Sequence, residues 1–103
     1  MSADTANVRT ASVRGTCLAD GLLGPFSGNI KLERRPDGVY YTWRLESSNG
    51  KFLGERSQFV SDKVLPHKAD PFTFALEHAI EGLGRYRINR QRAYEVAEWA
   101  WVT

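Results

Sequence analysis

Polar and apolar residues alternate most regularly in the middle of the chain. From Asn29 to Arg35, Ile30 and Leu32 fall on one side and Lys31 and Glu33 on the other, the period of a half-buried strand. Pro36-Asp37-Gly38 follows as a turn, with proline pre-setting the first turn residue. From Val39 to Glu46, Val39, Tyr41, Trp43 and Leu45 face one way and Tyr40, Thr42, Arg44 and Glu46 the other. Asn49-Gly50 then predicts a two-residue type I′ hairpin turn, in which both central residues need positive φ. Lys51 to Val60 returns as the next strand. Residues 29–60 therefore predict a three-stranded antiparallel meander. A two-residue turn pairs Ser48 with Lys51, hence Arg44 with Glu55 and Trp43 with Arg56, an opposite-charge couple and a cation against an aromatic ring. That register leaves Leu53 and Phe59 on the polar side, which calls either for a bulge or for partial cover on both faces.

A change of period marks a helix. Phe72, Ala75, Leu76, Ala79, Ile80 and Leu83 recur at i, i+3, i+4, i+7, i+8 and i+11, an apolar stripe of helical spacing. Asp70 is the expected N-cap and Pro71 the first helical residue, where a missing N–H costs nothing. Gly82 or Gly84 is expected to end the helix. Residues 61–69 read as a connecting loop, and the glycine- and proline-rich stretch from Asp20 to Asn29 as another, pinned by Leu22, Leu23 and Phe26. Val8 to Leu18 has the β-branched content of a strand. In the tail, Ala93, Val96, Ala97, Ala100 and Trp101 fit a helix. Tyr94, Val96, Ala100 and Val102 against Trp99 and Trp101 fit a strand. A helix there would set Arg90 and Arg92 at its positive end and Glu95 and Glu98 toward its negative end, against the macrodipole. The balance tips to a final strand.

These elements predict an α+β fold: an antiparallel β-meander of three to five strands packed on one face by a single amphipathic helix. Residues 8–103 form one domain after a frayed segment, residues 1–7. At 103 residues and 42% hydrophobic content, with three Trp, four Tyr and five Phe, the chain can close a core without staples. The one cysteine, Cys17, forms no intramolecular disulfide. No apolar h-region opens the chain and no run reaches the eighteen or so residues of a membrane helix, so a cytoplasmic protein without membrane association is expected.

Net charge is only +2, but ten of the fourteen basic residues are arginine, the better partner for bidentate anion contacts and for stacking. Arg85, Arg87, Arg90 and Arg92 lie within eight residues that contain no acid. They form a candidate anion-binding edge for an acidic protein surface or for phosphates. The plainer reading is a solvated connection whose arginine stems lie over Trp99 or Trp101. Tyr40, Tyr41 and Trp43 beside Arg44 and Arg56 form a candidate stacking platform for nucleic acid, against the reading of alternate members as core. No nucleophile elbow, zinc-helix motif, P-loop or dinucleotide-binding glycine motif is present. Neither catalysis, a metal nor a cofactor is therefore expected. His67 and Cys17 have nothing beside them that would activate either, and Cys17 reads as a small buried apolar residue. His78, next to Glu77 and off the stripe, reads as part of a solvated helix face.

Arg44-Leu45-Glu46, Asn49-Gly50-Lys51, Gly54 and Arg56, followed by Gly82-Leu83-Gly84-Arg85, resemble a small phage-encoded anti-CRISPR that inhibits type I-F surveillance complexes. The resemblance covers about a third of the chain. It implies a sheet backed by helices and inhibition through protein–protein contact that blocks guide-dependent DNA binding. It carries no functional residue over, and the basic character of this chain does not suit mimicry of DNA by negative charge.

The leading expectation is thus a non-catalytic protein-binding module, an inhibitor or accessory factor of a phage or other mobile element. Its partner is another protein or protein complex, met by Arg85, Arg87, Arg90 and Arg92 or by Tyr40, Arg44 and Arg56. The alternative is a single- or double-stranded nucleic-acid-binding domain that uses the aromatic sheet face and the arginine cluster. A homodimer joined at an edge strand or through the C-terminal tryptophans is compatible with both.

Overall fold

A computed structural model describes residues 7–19, 23–64 and 70–102. Four long strands, β1 (Val8–Cys17), β2 (Gly24–Arg35), β3 (Gly38–Ser47) and β4 (Phe52–Ser61), precede one helix, α1 (Pro71–Arg85). A short hairpin of β5 (Arg87–Ile88) and β6 (Gln91–Arg92) follows, and β7 (Tyr94–Trp101) ends the described chain. The five long strands make one antiparallel sheet in the order β4-β3-β2-β1-β7. Consecutive strands are neighbours except that β7 closes the sheet beside β1. The tail is therefore a strand, as its charge pattern indicated. His67 and Leu22 and most of the 61–69 connection lie outside the described residues.

The meander holds the expected register through most of its length: Trp43 is opposite Arg56 and Arg44 opposite Glu55. The turn that produces it differs. The Ser47 N–H donates to the Lys51 carbonyl at 2.8 Å and the Gly50 N–H to the Ser47 carbonyl at 2.9 Å. Gly50 alone has positive φ, +82°. This is a three-residue loop in which a tight turn is followed by a left-handed glycine, so Ser47 rather than Ser48 faces Lys51. A second shift between Leu45 and Glu46 restores the frame. That bulge turns Leu53 back toward the core, where it is half-buried. Phe59 stays on the outer face opposite Tyr40, exposed.

Residues 24–29 form the first half of β2 rather than a loop. Their glycines and proline weaken a strand taken alone, but β1 pairs with the whole segment and β3 joins it from Phe26 onward. A Cβ at Gly28 would run into the Arg44 carbonyl and come within 2.7 Å of Leu45 Cδ2, so glycine here lets β2 and β3 approach.

One face of the sheet is covered. Asp70 caps α1, its side chain accepting from the Phe72 N–H at 3.2 Å and from the Thr73 hydroxyl at 2.8 Å. Ala75, Leu76, Ala79 and Leu83 are buried against Ala11, Val13, Ile30, Leu32, Val39, Tyr41, Trp43 and Leu45. Cys17 is buried among them, a free thiol. The helix continues through Gly82 and Gly84 to Arg85, because tertiary packing of Leu83 outweighs the roughly 1 kcal/mol cost of each helical glycine. His78 is half-buried rather than solvated, its Nδ1 lying 3.2 Å from the Tyr41 hydroxyl. The other face is left uncovered by the described residues and carries Thr10, Ser12, Arg14, Ser27, Asn29, Lys31, Tyr40, Thr42 and Arg44. No helix of the described residues is long and apolar enough to cross a membrane.

Candidate binding surface: the basic hairpin

Between α1 and β7 the chain makes another tight turn. Arg87 is opposite Arg92 and Ile88 opposite Gln91, leaving Asn89 and Arg90 as a two-residue loop with φ of +51° and +69°. Two successive positive φ values define the type I′ turn, so that geometry stands here and not at Asn49-Gly50. Asparagine tolerates the left-handed region. Arginine does so at a cost of about 1–2 kcal/mol, and the sequence carries no glycine to signal it.

The base of the hairpin is fixed. The Ala93 N–H donates to the Tyr86 carbonyl at 2.9 Å, and the Leu18 N–H to the Ala93 carbonyl at 2.8 Å. Tyr86 meets Trp43 edge-on at 5.7 Å and tilts against Tyr94 at 5.5 Å between ring centroids. Tyr94 in turn meets Phe26 at 5.5 Å. This aromatic chain runs from the hairpin into the core, and burial raises the Tyr94 phenol above its ordinary pKa, with Cys17 and Tyr86 adding to the shift. Arg56 of β4 lies with its guanidinium 5.6 Å from the Tyr86 ring. The structure thus brings Arg56 together with the base of the 85–92 segment, which the sequence did not indicate.

The four arginines of that segment divide. Arg85 is ion-paired with Glu81, one helical turn back. Arg92 donates from Nε to the Gly84 carbonyl at 2.8 Å, drawing its charge away from Arg87 across the ladder. Arg87 and Arg90 are exposed and have no acidic partner among the described residues. None of the four lies over the tryptophans. Arg9 takes that place, 3.8 Å from the Trp101 ring centroid, 5.9 Å from that of Phe72 and 3.7 Å from Asp70.

The proposed sheet platform is split between faces. Tyr41 and Trp43 are buried under the helix, and Arg56 is on their side. Tyr41 donates to Gln58 Oε1 at 2.8 Å, and burial raises its phenol pKa while Arg56 acts against the shift. Tyr40 and Arg44 are on the open face. Arg35 stacks on Tyr40 at 4.4 Å and Arg44 on Phe52 at 4.9 Å. The arginines there are also engaged: Arg35 with Glu33 at 2.8 Å, Arg44 with Glu55 at 3.7 Å and Glu46 at 4.0 Å, and Arg14 with Glu98 at 3.8 Å. No family model, curated protein or solved structure matches the chain.

Proposed function

We infer that the protein is a non-catalytic protein-binding module that docks an acidic protein surface with Arg90 at the turn of the β5–β6 hairpin and Arg87 and Arg56 at its base. One observation carries this reading. Six arginines, Arg9, Arg14, Arg34, Arg35, Arg44 and Arg85, are ion-paired within the chain, whereas Arg56, Arg87 and Arg90 meet no acid among the described residues. A tight turn anchored by Tyr86 and Ile88 holds two of them in place before a partner arrives, which lowers the ordering cost of binding. Arginine desolvated against a carboxylate is also among the commonest energetic anchors of an interface.

The nucleic-acid alternative is the weaker of the two. Base stacking on Tyr40 or Phe52 would have to displace Arg35 or Arg44, and the arginines of the open face are already paired with acids. Phosphate contact at the hairpin alone would involve few charges and a shallow salt dependence. The resemblance to a type I-F inhibitor supplies one specific form of the protein-binding reading, checked by whether the protein blocks DNA binding by such a complex.

The decisive experiment captures the partner from the source cell and titrates it with wild type and with Arg56→Ala/Arg87→Ala/Arg90→Ala. Three desolvated arginines at about 1–2 kcal/mol each predict a loss of at least 100-fold in affinity. Unchanged affinity overturns the assignment of the site. Tighter binding to a labelled single-stranded oligonucleotide than to the captured protein, abolished by the same substitutions, overturns the protein-binding reading.

A further inference from the structure

The sheet ends at β7, and the outer edge of that strand is open over only part of its length. Ile80, Glu81, Gly84 and Arg85 of α1, together with Arg92, flank Glu95 and Val96. From Glu98 to Val102 the described chain is exposed except at Trp101, which is half-buried. Its backbone polarity follows from the ladder with β1. The Val102 N–H donates to the Thr10 carbonyl at 2.8 Å, and the Ser12 hydroxyl reaches the Ala100 carbonyl at 3.4 Å. Residues 100 and 102 therefore point inward to β1. In an antiparallel ladder alternate residues point oppositely, so Trp99 and Trp101 present their N–H and C=O groups to the open edge. Both side chains lie on the helix side of the sheet, opposite Val13 and Ala11, with their rings edge-to-face at 5.5 Å. Trp99 remains 39% exposed.

We propose that this edge pairs with a second copy of the chain, β7 against β7 in antiparallel fashion, giving one continuous ten-stranded sheet. A two-fold axis perpendicular to the sheet keeps like faces together, as an isologous interface requires. The register centred on Ala100 uses only residues 98–102 and avoids the irregularity after Arg14. It sets Trp99 of each copy opposite Trp101 of the other, so four indoles line one face and the outward-pointing backbone groups pair. On the other face Ala100 meets Ala100 and Glu98 meets Val102. Shifting the centre to Glu98 would instead oppose two carboxylates. The pattern of charge and size along β7 is therefore self-complementary in the proposed register. The rival edge, β4, carries exposed Glu55 and Arg56 in mid-strand, the usual protection against such pairing. The assembly places no demand on the basic hairpin and is independent of its role.

Sedimentation equilibrium on the full chain tests this without any substitution: at about 100 μM the mass should be twice the 11.6 kDa of the monomer. Trp99→Lys should raise the dissociation constant at least about 100-fold while leaving the circular dichroism spectrum unchanged, whereas Phe59→Lys on β4 should leave the dimer intact. Ala100→Cys should form a disulfide-linked dimer under mild oxidation, since facing residues of a non-hydrogen-bonded pair lie about 4.5 Å apart. Cys17 is buried and supplies the internal control. A monomer at that concentration overturns the proposal, as does a dimer that survives Trp99→Lys and is lost with Phe59→Lys. Absence of the cross-link overturns the register.

Discussion

Arg90→Gly separates the stability of the hairpin from its use. Arg90 is held at φ +69°, where an L-residue loses about 1–2 kcal/mol from the approach of its Cβ to the carbonyl. Glycine has no Cβ and removes that strain, but it returns about 0.5–1 kcal/mol through the greater freedom of the unfolded chain. The Arg90 side chain is exposed and makes no ion pair among the described residues, so its removal adds little. The net expectation is a gain of about 0–1.5 kcal/mol, or a rise in Tm of up to several degrees for a domain of this size. Arg90→Ala keeps the strained backbone and should stay within about 0.5 kcal/mol of wild type. Urea denaturation of the three proteins, with shared slopes, measures the difference directly. Both variants should weaken partner binding alike, because each lacks the guanidinium. A loss of more than about 1 kcal/mol in Arg90→Gly would refute the reasoning, since it would mean that the side chain packs on the domain rather than standing free at the turn.

Leu76→Ala removes about three methylene groups from a fully buried site, about 2.4 kcal/mol by transfer alone, so with the cavity term urea unfolding should show a loss of about 3–5 kcal/mol. Ile80→Ala, at a half-buried position of the same stripe, should cost about half as much, and equal losses would show that the helix is rotated about its axis. At high pH the raised phenol pKa values of Tyr41 and Tyr94 make folding resist ionisation. Their contribution is complete below the ordinary tyrosine pKa of about 10 and is lost as pH rises through the raised folded-state values. Unfolding followed by circular dichroism should therefore coincide with late phenolate absorbance, and a Tyr41→Phe/Tyr94→Phe double variant should show a flatter alkaline limb.

The sequence by itself determined whatever rests on local periodicity. Alternation in residues 29–35 and 39–46 set which side chains face the core, and the 3.6-residue stripe from Phe72 to Leu83 set the buried side of α1. Asp70-Pro71 placed the start of the helix, and the order of charges from Arg90 to Glu98 favoured a strand over a second helix. Each of these depends on neighbours within a turn or two of chain. Tertiary structure decided the rest. Gly24 to Asn29 extends as a strand because β1 and β3 pair with it from both sides. α1 runs past two glycines because Leu83 is buried. The type I′ turn stands at Asn89-Arg90, where the fold overrides a backbone preference that composition alone would have assigned to Asn49-Gly50. The division of the arginines is decided there as well. Arg9 reaches Trp101 across more than ninety residues of chain and Arg14 reaches Glu98 across more than eighty, while Arg56, Arg87 and Arg90 meet no acid among the described residues. Charge neutralisation depends on which side chains the sheet brings side by side, and that is fixed by the closing of β7 on β1, a contact between strands at opposite ends of the chain that no local pattern encodes.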